Sequence, residues 1–520
     1  MADFDVVIIG GGHNGLICAA YLAKGGLRPL VVERRKILGG ACVTEEIDGA
    51  AGFRVSTGAA QCGNLRPEIV EELELRRFGF ELLMPDPLTV FPFLDGRYLA
   101  LWQNVDRTLE EIRKFSERDA GNFRAFYNEC VAFTDLIEPH LYADSVPSLG
   151  ELQQTFHDAG RDELYRSFMV GSMWELVKDR FESEAVKAVL GFTSTFGTNA
   201  GPRAPGTAYV MAHHMFGGTA GIKGRAGYVR GGMGGLAMAL AGAARHFGAV
   251  LRSDAEVGRV LLAQGRVKGV ELVTGERVQA PAVVSNADPQ RTFLGLVGGE
   301  NLSPDFARDI RNIEIQGVAL KVNCALKRLP RFSACPTDWN PARVSLCPSL
   351  DYMEAAWAMA KRGHPSEHPF MTVHMQSLID DSLAPSDGHT LTCYAQYFPY
   401  DLHPSLGDWE RQRQTAGASV LRTVAEYAPD LYDVVTVTEV HTPLDLETRF
   451  AMTGGHQFHG DLLPNQLFDR RPAPGCLGAK TPIDGLYLCG TGAHPGGCVW
   501  GAPGQRAART VLEQVSENLN

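Results

Sequence analysis

Three glycines and a glutamate near the amino terminus have the spacing of a dinucleotide-binding turn. Gly10, Gly12 and Gly15 stand in G-x-G-x-x-G register directly after the apolar run 6–9, and an apolar helical pattern follows them. The first glycine permits a tight turn, the second lets the backbone approach a pyrophosphate, and the third lets the helix pack on the strand. Glu33 ends a second predicted strand 18 residues after the last glycine, where a carboxylate can accept hydrogen bonds from ribose hydroxyls. These residues predict a bound adenine dinucleotide.

The residues around this turn and after Glu33 are the predicted contacts of the cofactor. A helix N-terminus offers free N–H groups and a partial positive charge to phosphates, which favours His13 and Asn14. The segment ERRKILGGACVTEE then contains paired glycines, which let the chain pass beside the pyrophosphate and ribityl parts of an elongated FAD. The predicted contacts in this segment are Arg34, Gly39, Gly40 and Ala41.

Cys42 raises a second hypothesis, because a cysteine just after paired glycines is where a disulfide reductase keeps a redox-active thiol. Such an enzyme carries a second cysteine five positions later, and that position is Ile47 in this chain. One thiol cannot cycle as a dithiol by itself. We therefore predict that the chain is not a disulfide reductase and that Cys42 is a small packing residue.

The carboxyl-terminal segment GLYLCGTGAHPGGCVWGAPGQRAARTVL predicts a second part of the same site. It predicts a short buried strand closed by Gly490, an irregular turn, and a helix entered through Gly501 and Gly504 and running from Gln505. A helix N-terminus aimed at a flavin ring would stabilise the negative charge that develops there on reduction. The alternative is a strand and helix that only complete the sheet. The predicted contacts here are Gly490, Thr491, Gly501 and Ala502.

The chain resembles, nearly end to end, the phytoene-desaturase-like branch of the FAD-linked amine oxidase superfamily. The resemblance is carried by the motifs GGGHNGLICAAYLA, VVERRKILGGACVTEEI, FESEAVKAVL, HHMFGG, GYVRGGMGGL, VVSNADPQ and GLYLCGTGAHPGG. It implies the α/β fold of a two-dinucleotide-binding-domain flavoprotein, in which a Rossmann-like FAD domain is combined with an interleaved α+β substrate domain. It also implies backbone contact with the adenine near Val257, and a sheet strand that closes at Asn286. By the same resemblance His494 lies in the flavin-contacting turn and is a predicted cofactor contact.

The resemblance divides the chain into two interleaved domains. The FAD-binding domain is assembled from residues 1–65, 220–290 and 475–520. The substrate domain takes residues 66–219, predicted to be mostly helical as in RTLEEIRKFSERDAGNFRAFYNECVAF, and residues 291–474, which mix strands and helices. No internal repeat or long linker is visible, so we expect one compact body of two domains.

Three side chains of the predicted substrate domain are candidates for catalysis. Lys321 lies in the alternating strand GVALKVNCAL; in the resembled superfamily a lysine on the corresponding strand holds a water against flavin N5, and burial would lower its pKa so that it could act as a base. The alternative is that Lys321 is exposed on a sheet edge. His213 or His214 could accept a proton from the substrate, with a structural role at a helix end as the alternative. His456 and His459 lack a third ligand, so no metal is predicted.

Composition excludes several classes of protein. The 520-residue chain has 45% hydrophobic and 21% charged residues, as soluble globular proteins do, and its net charge of −11 argues against nucleic-acid binding. No pair among the eleven cysteines has C-x-x-C spacing, and neither an apolar leader nor an apolar span of membrane length is visible. We expect the cytoplasm for a bacterial chain and allow the mitochondrial matrix for a eukaryotic one, although no transit peptide is present. Peripheral membrane contact and the oligomeric state stay open.

These features together predict an FAD-dependent oxidoreductase that holds FAD non-covalently and removes hydride from an apolar or amine-bearing small molecule. Two alternatives stay open. One is a carotenoid-type desaturase or isomerase that works at a membrane surface, and the other is an interaction or regulatory flavoprotein with weak catalysis. The sequence identifies neither the substrate nor the electron acceptor.

Overall fold

The computed structural model describes residues 3–218, 221 and 223–519. The strands are, in chain order, β1 (Val6–Ile9), β2 (Pro29–Val32), β3 (Thr44–Ile47), β4 (Ala50–Ser56), β5 (Leu82–Leu83), β6 (Thr89–Pro92), β7 (Tyr98–Leu101), β8 (Tyr228–Val229), β9 (Val250–Arg252), β10 (Val257–Ala263), β11 (Arg266–Leu272), β12 (Arg277–Gln279), β13 (Ala282–Ser285), β14 (Ala319–Leu326), β15 (Arg343–Leu346), β16 (Phe370–His374), β17 (His389–Gln396), β18 (Val435–His441) and β19 (Leu486–Leu488). The α-helices are α1 (His13–Lys24), α2 (Pro67–Glu72), α3 (Val105–Arg113), α4 (Glu117–Tyr142), α5 (Leu149–Asp158), α6 (Asp162–Tyr165), α7 (Met173–Lys178), α8 (Glu184–Gly191), α9 (Thr207–His213), α10 (Met233–Phe247), α11 (Pro304–Arg311), α12 (Leu350–Ala360), α13 (Trp409–Tyr427), α14 (Leu431–Val434), α15 (Pro443–Phe450) and α16 (Ala502–Leu519).

Five parallel strands form one sheet, in the order β19-β13-β1-β2-β9. Both faces of this sheet are covered, so successive residues of β1 point into two different cores. Val6 and Ile8 pack with residues of α1, α10 and α16. Val7 and Ile9 pack on the opposite side, together with residues of the three-stranded sheet β10-β11-β12. This arrangement confirms the predicted α/β class.

The parallel sheet joins parts of the chain that are far apart in sequence. Strands β1 and β2 come from the amino-terminal part, β9 and β13 from the middle, and β19 from the carboxyl-terminal part. Because β13 pairs with β1 on one side and with β19 on the other, the two terminal glycine-rich segments lie together. The predicted boundary between residues 219 and 220 lies outside the described residues, and the division into two interleaved domains stays a prediction.

A seven-stranded sheet, in the order β18-β14-β17-β16-β15-β6-β7, is built from later parts of the chain and from residues 89–101. Its neighbouring strands are antiparallel, except for the parallel pair β15 and β6. One face carries Val322, Val373 and Cys393, which pack with residues of α13. The opposite face carries polar side chains, among them Lys321 and His374, and these are buried as well. The alternation of side chains along each strand therefore separates an apolar layer from a polar one.

Most of the chain between residues 105 and 213 is helical. The segment predicted as helical forms α3 and α4, which are separated at Ser116. The Ser116 Oγ accepts a hydrogen bond of 3.1 Å from the Asp119 N–H and caps α4. Phe123, Phe126 and Phe133 of α4 belong to an aromatic core that this helical part shares with α8 and α9. Among the described residues, no helix is both long enough and apolar enough to cross a bilayer.

The carboxyl-terminal helix begins before its predicted start at Gln505, so that prediction was wrong by three residues. Gly501 has a φ of 78° and makes the turn, and α16 starts at Ala502. Pro503 then occupies the first helical turn, where the missing N–H of a proline costs nothing. As a result Gly504 lies inside the helix, at its closest approach to α1.

Packing between α1 and α16 requires a glycine at position 504. A Cβ atom added there would lie 2.3 Å from the Asn14 carbonyl oxygen, whereas nothing lies within 4 Å of a Cβ added at the helical Gly121. We expect Gly504→Ala to lower the stability by about 1–3 kcal/mol through overpacking. Gly121→Ala, the matched control, should raise the stability by about 0.5–1 kcal/mol. Thermal unfolding measures both, and melting temperatures that move in the same direction would contradict this account.

Candidate functional site

A channel of about 150 Å³ lies at the carboxyl ends of three neighbouring strands of the parallel sheet. Ile9 and Val32 are the last residues of β1 and β2, Asn286 follows β13 directly, and all three line the channel. The carboxyl edge of a parallel sheet is where open α/β folds bind ligands. The channel is therefore a candidate binding site by its position alone.

The glycine-rich turn forms one wall of this channel and has no room for side chains. A Cβ atom at Gly12 would lie 2.6 Å from Asn286 Nδ2, and one at Gly15 would lie 2.2 Å from the Gly10 carbonyl oxygen. Helix α1 begins at His13, and no side chain caps its N-terminus. The first N–H groups of the helix are thus available to an anionic ligand.

Glu33 lines the channel next to the glycine-rich turn and is fixed in one orientation. Its Oε2 accepts a hydrogen bond of 2.8 Å from the Gly11 N–H, and its Oε1 accepts one of 2.9 Å from the Arg35 N–H. The residue is only 6% exposed. Each oxygen keeps a further lone pair, so the carboxylate can still accept hydrogen bonds from two vicinal hydroxyl groups in the channel.

Buried polar atoms without a protein partner are concentrated along the channel. Leaving such an atom unpaired costs about 1–3 kcal/mol, so a group of them around one space points to a polar ligand. The atoms are His13 Nε2, Asn14 Nδ2 and Oδ1, Gln457 Nε2, His459 Nδ1 and Thr491 Oγ1. Their donors and acceptors suit the phosphates, hydroxyl groups and ring heteroatoms of a dinucleotide.

A second, larger cavity of about 430 Å³ continues from the channel. His13, Ala41, Gln457 and Thr491 line both spaces, so the two meet there. Aromatic side chains form much of the wall of this second space, which we name the aromatic cavity: Phe91, Trp102, Phe123, Phe126, Tyr127, Phe192, Phe196, Tyr394 and Phe458. A ligand that fills the channel can therefore present one end to an apolar chamber.

Many of the cofactor contacts predicted from sequence line the channel. They are Gly10, Gly12, His13, Asn14, Glu33, Arg34, Gly40, Ala41, Val257, Asn286 and Thr491. The other predicted contacts line neither space; they are Gly15, Gly39, Gly490, His494, Gly501 and Ala502.

Close packing explains where several of these other residues lie. A Cβ at Gly490 would lie 2.8 Å from the Asn286 carbonyl oxygen, and one at Gly501 would meet Ile17 and Ile69. His494 is fully buried, with its ring 6.3 Å from that of Phe468. These positions hold the channel walls in place through packing, and direct contact with a cofactor at them stays a prediction.

Lys321 is buried on β14, the strand between β17 and the edge strand β18, so it does not lie on a sheet edge. Its Nζ donates hydrogen bonds to the carbonyl oxygens of Ser56 (2.8 Å) and Gly58 (2.7 Å). Burial lowers the pKa of Lys321 to about 7, and the nearby Glu439 carboxylate opposes that shift. Since Gly58 lines the aromatic cavity, Lys321 supports the cavity wall from behind and can exchange a proton near neutral pH.

The two histidines predicted as proton acceptors occupy different environments. His213 is fully buried, its ring is 4.8 Å from that of Trp500, and it lines neither space. His214 lines the aromatic cavity, and its Nε2 lies 3.0 Å from the Phe196 carbonyl oxygen. This places the proton on Nε2 and leaves Nδ1 facing the Cys498 thiol at 3.6 Å. Burial lowers the pKa of both histidines, so both are neutral near pH 7.

Cys42 lacks the properties of a catalytic thiol. It is buried, and burial raises the pKa of its thiol, whereas reactive cysteines have a lowered pKa. Its Sγ lies 3.7 Å from His13 Nδ1 at the junction of the two spaces. Position 47 is an isoleucine in β3. The prediction that the chain is not a disulfide reductase agrees with this geometry.

The sequence analysis missed the polar side chains that the seven-stranded sheet presents to the aromatic cavity. They are Thr89, Arg343, Thr372 and His374. The signal was present as period-two alternation in RVSL and FMTVH, which leaves polar residues on one face of apolar strands. It was overlooked because that face appears solvent-exposed when the strands are considered singly. Among the described residues, no cluster of three metal-ligating side chains occurs.

Lys321 gives the fold a specific pH dependence. In the unfolded chain the lysine keeps its proton up to about pH 10.5, whereas in the folded chain it loses the proton near pH 7. Between these values the unfolded state binds more protons, so the wild type gains stability as the pH rises. The free energy of unfolding of the wild type relative to Lys321→Met should therefore rise by about 1.4 kcal/mol per pH unit above pH 7. Urea unfolding at several pH values measures it, with the exposed Lys268→Met as control; equal slopes for the two variants would contradict the burial argument.

Comparison with known proteins agrees with this architecture. Residues 8–65 match the family model described as NAD(P)-binding Rossmann-like domain. The chain is 35% identical to pyridine nucleotide-disulfide oxidoreductase domain-containing protein 2 of Mus musculus, over 99% of this chain and 94% of that protein. It is 30% identical to a limonene dehydrogenase subunit of Castellaniella defragrans, over 99% of this chain and 95% of that protein.

Among solved structures, putrescine oxidase bound to putrescine has the same fold, with a TM-score of 0.59 at 16% identity and coverage of 99% of both chains. At this identity the likeness concerns the fold alone, and the family follows from the sequence relatives. The chain belongs to the family of pyridine nucleotide-disulfide oxidoreductase domain-containing protein 2 and is an oxidoreductase.

Proposed function

We propose that the protein is an FAD-dependent oxidoreductase that removes hydride from a largely apolar small molecule. The observation that carries the proposal is the continuity of the polar channel with the aromatic cavity at His13, Ala41, Gln457 and Thr491. A channel that suits a dinucleotide and opens into an apolar chamber is the arrangement that a flavin oxidoreductase needs. FAD, when bound, supplies a hydride acceptor at N5 of its ring.

The channel residues have complementary roles in holding this cofactor. Glu33 would accept hydrogen bonds from the adenosine ribose, and Val257 would lie beside the adenine. The N-terminus of α1 would bind the pyrophosphate, with Asn14 satisfying its two unpaired amide atoms there. Thr491 would contact the part of the cofactor that enters the aromatic cavity.

We propose that FAD is held without a covalent bond. Cys42 and Cys498 both line the aromatic cavity, and burial raises the pKa of both thiols, that of Cys498 to about 12. A protonated thiol is a poor nucleophile, so neither cysteine favours a thioether to the flavin.

The proposed FAD domain comprises residues 1–65, 220–290 and 475–520, and the proposed substrate domain comprises residues 66–219 and 291–474. The first set contains all five strands of the parallel sheet. The second set contains all strands of the seven-stranded sheet and the aromatic helices α3 to α9. The division thus assigns each of these two large sheets to one proposed domain, while the short pair β5 and β8 joins the two sets. The aromatic cavity takes its lining from both sets.

The lining of the aromatic cavity favours an apolar substrate over a cationic amine. No aspartate or glutamate is among its lining residues, whereas Lys223, Arg225 and Arg343 are. A protonated amine would find no counter-ion there and would meet positive charge at close range. The relative from Castellaniella defragrans is named for the dehydrogenation of limonene, a hydrocarbon, in agreement with an apolar chamber.

In this proposal Lys321 exchanges protons and His214 orients the ligand. Lys321, with a pKa of about 7, can take up a proton at neutral pH behind the wall formed by Gly58. His214 lines the cavity as a neutral ring, so it orients a ligand without adding a full charge. The aromatic side chains exclude water from the reacting carbon.

The Glu33 carboxylate provides the test of cofactor binding. We expect Glu33→Ala to weaken FAD binding by about 10–100-fold, because a charged hydrogen-bond acceptor for the ribose is lost. Fluorescence titration of the apoprotein with FAD measures the dissociation constant. The exposed Glu276→Ala changes the net charge equally and serves as control. If the two apoproteins have equal melting temperatures and bind FAD with equal affinity, Glu33 does not bind the cofactor.

Anaerobic mixing tests the substrate class. Limonene and geranic acid serve as donors with apolar frames, and putrescine and cyclohexylamine serve as amines of comparable or smaller size. We expect at least one apolar-frame donor to bleach the flavin absorbance and neither amine to do so, because the aromatic cavity has no carboxylate for an ammonium group. Bleaching by the amines alone would refute the apolar assignment. Bleaching by dithionite and by no organic donor would refute the proposed enzymatic activity.

A further inference from the structure

We infer that Arg343 is a binding site for a carboxylate group, so that the substrate taken by the aromatic cavity is an apolar carboxylic acid. This inference deepens the proposed function and rests on it for the link to turnover. As a statement about binding, it can be tested without turnover.

Arg343 reaches the aromatic cavity from the polar face of the seven-stranded sheet. It is the first residue of β15 and lies directly opposite His374 of β16. Both side chains line the cavity, as does Thr372, two residues before His374 on the same face. The sheet therefore fixes the position of the guanidinium through its strand register, which a flexible loop could not do.

The charge of Arg343 has no protein counter-ion among the described residues. No aspartate or glutamate of this set pairs with it, and its buried Nε has no hydrogen-bond partner. Burial lowers the pKa of Arg343, but a guanidinium stays protonated in a folded protein. Arg343 is half-buried, and taking a cation out of water without an anion is costly, so a bound anion would supply the missing charge.

The other cations of the cavity wall have protein partners, which makes Arg343 different. Lys223 Nζ lies 2.6 Å from Asp135 Oδ1 and 2.7 Å from Glu138 Oε2. Arg225 donates a hydrogen bond to the carbonyl oxygen of Gln103. Carboxylates therefore pair with Lys223 and a backbone carbonyl holds Arg225, whereas Arg343 lines the cavity and its Nε has no protein partner.

The two histidines near Arg343, His214 and His374, remain neutral and add no further positive charge for an anion. Burial lowers the pKa of His214 and holds that of His374 well below its ordinary value, and the Arg343 charge lowers both further. His374 Nδ1 is hydrogen-bonded to the Tyr228 hydroxyl at 2.8 Å. An anion bound at Arg343 thus has one full positive charge beside it, surrounded by neutral polar rings.

A carboxylate fits this environment better than other anions do. Its single charge balances one guanidinium, and its two oxygens match the planar fork of N–H donors. A dianionic phosphate would leave a negative charge uncompensated beside aromatic side chains such as Phe196. The aromatic walls would hold the apolar body of the molecule, while Arg343 holds its head.

Calorimetric titration with matched ligands provides the experiment. The purified holoprotein is titrated with decanoate, decan-1-ol, decylamine and decyl phosphate, which share one alkyl chain and differ in the head group. We expect decanoate to bind at least about tenfold more tightly than the alcohol, and more tightly than the amine or the phosphate. Failure of decanoate to bind, or affinity for it no higher than for decan-1-ol or decyl phosphate, would overturn the carboxylate assignment.

Variants of Arg343 test whether the preference for decanoate depends on this residue. Arg343→Met should weaken decanoate binding by about 10–100-fold and change decan-1-ol binding by less than about threefold. Arg343→Lys should lie between wild type and Arg343→Met, because it keeps the charge and loses the fork. Arg308→Met, which removes an exposed arginine paired with Asp305, is the matched control. Equal losses for decanoate and decan-1-ol in Arg343→Met would overturn the assignment, and the wild-type ligand series decides the question if that variant does not fold.

Failure of this inference is distinguishable from failure of the proposed function. Decanoate affinity that depends on Arg343, in a protein whose flavin no organic donor bleaches, would support the carboxylate site and refute the oxidoreductase proposal. Bleaching of the flavin by limonene, together with ligand affinities that do not change in Arg343→Met, would support the oxidoreductase proposal and refute the carboxylate site.

Discussion

The period-two alternation of the seven-stranded sheet is the constraint on which the rest of the structure depends. One face of the sheet is apolar and packs on α13. The other face is polar yet largely buried, because the helices and the segment around residues 56–58 lie against it. A buried polar face is stable only if its groups find partners. Some of these groups find partners within the sheet, and the others need partners from other segments of the chain or from a ligand.

The polar groups of this face find different kinds of partner. On β14 the Asn323 Nδ2 donates to Glu439 Oε2 of β18 (3.1 Å), and Thr392 Oγ1 of β17 donates to Asn323 Oδ1 (3.0 Å). Lys321, on the same strand, donates to the backbone carbonyls of residues 56 and 58. The buried Nε of Arg343 on β15 has no such partner. The polar face therefore takes partners from within the sheet and from the segment at residues 56–58, and it leaves Arg343 beside the cavity.

Sequence reasoning succeeded where function depends on elements that follow one another in the chain. The turn at Gly10 to Gly15, helix α1 and Glu33 all belong to a single strand–helix–strand unit, so spacing alone predicts their meeting. The carboxyl-terminal segment was also identified, although its helix starts at Ala502 and not at Gln505. It was less successful with histidines. His494 is buried away from both spaces, whereas His459, which was not among the predicted cofactor contacts, lines the channel.

Arg343 shows why the remainder could not be found in this way. Whether it faces α13 or the cavity depends on the pairing of β15 with β16, and a shift of that pairing by one residue would exchange the two faces. Whether its face is wet or buried depends on residues near position 126 and position 214, which lie more than a hundred residues away along the chain. Neither fact is encoded within the strand RVSL itself. A local pattern can show that a strand has a polar face, but only the assembled fold determines whether that face meets solvent, the protein or a ligand.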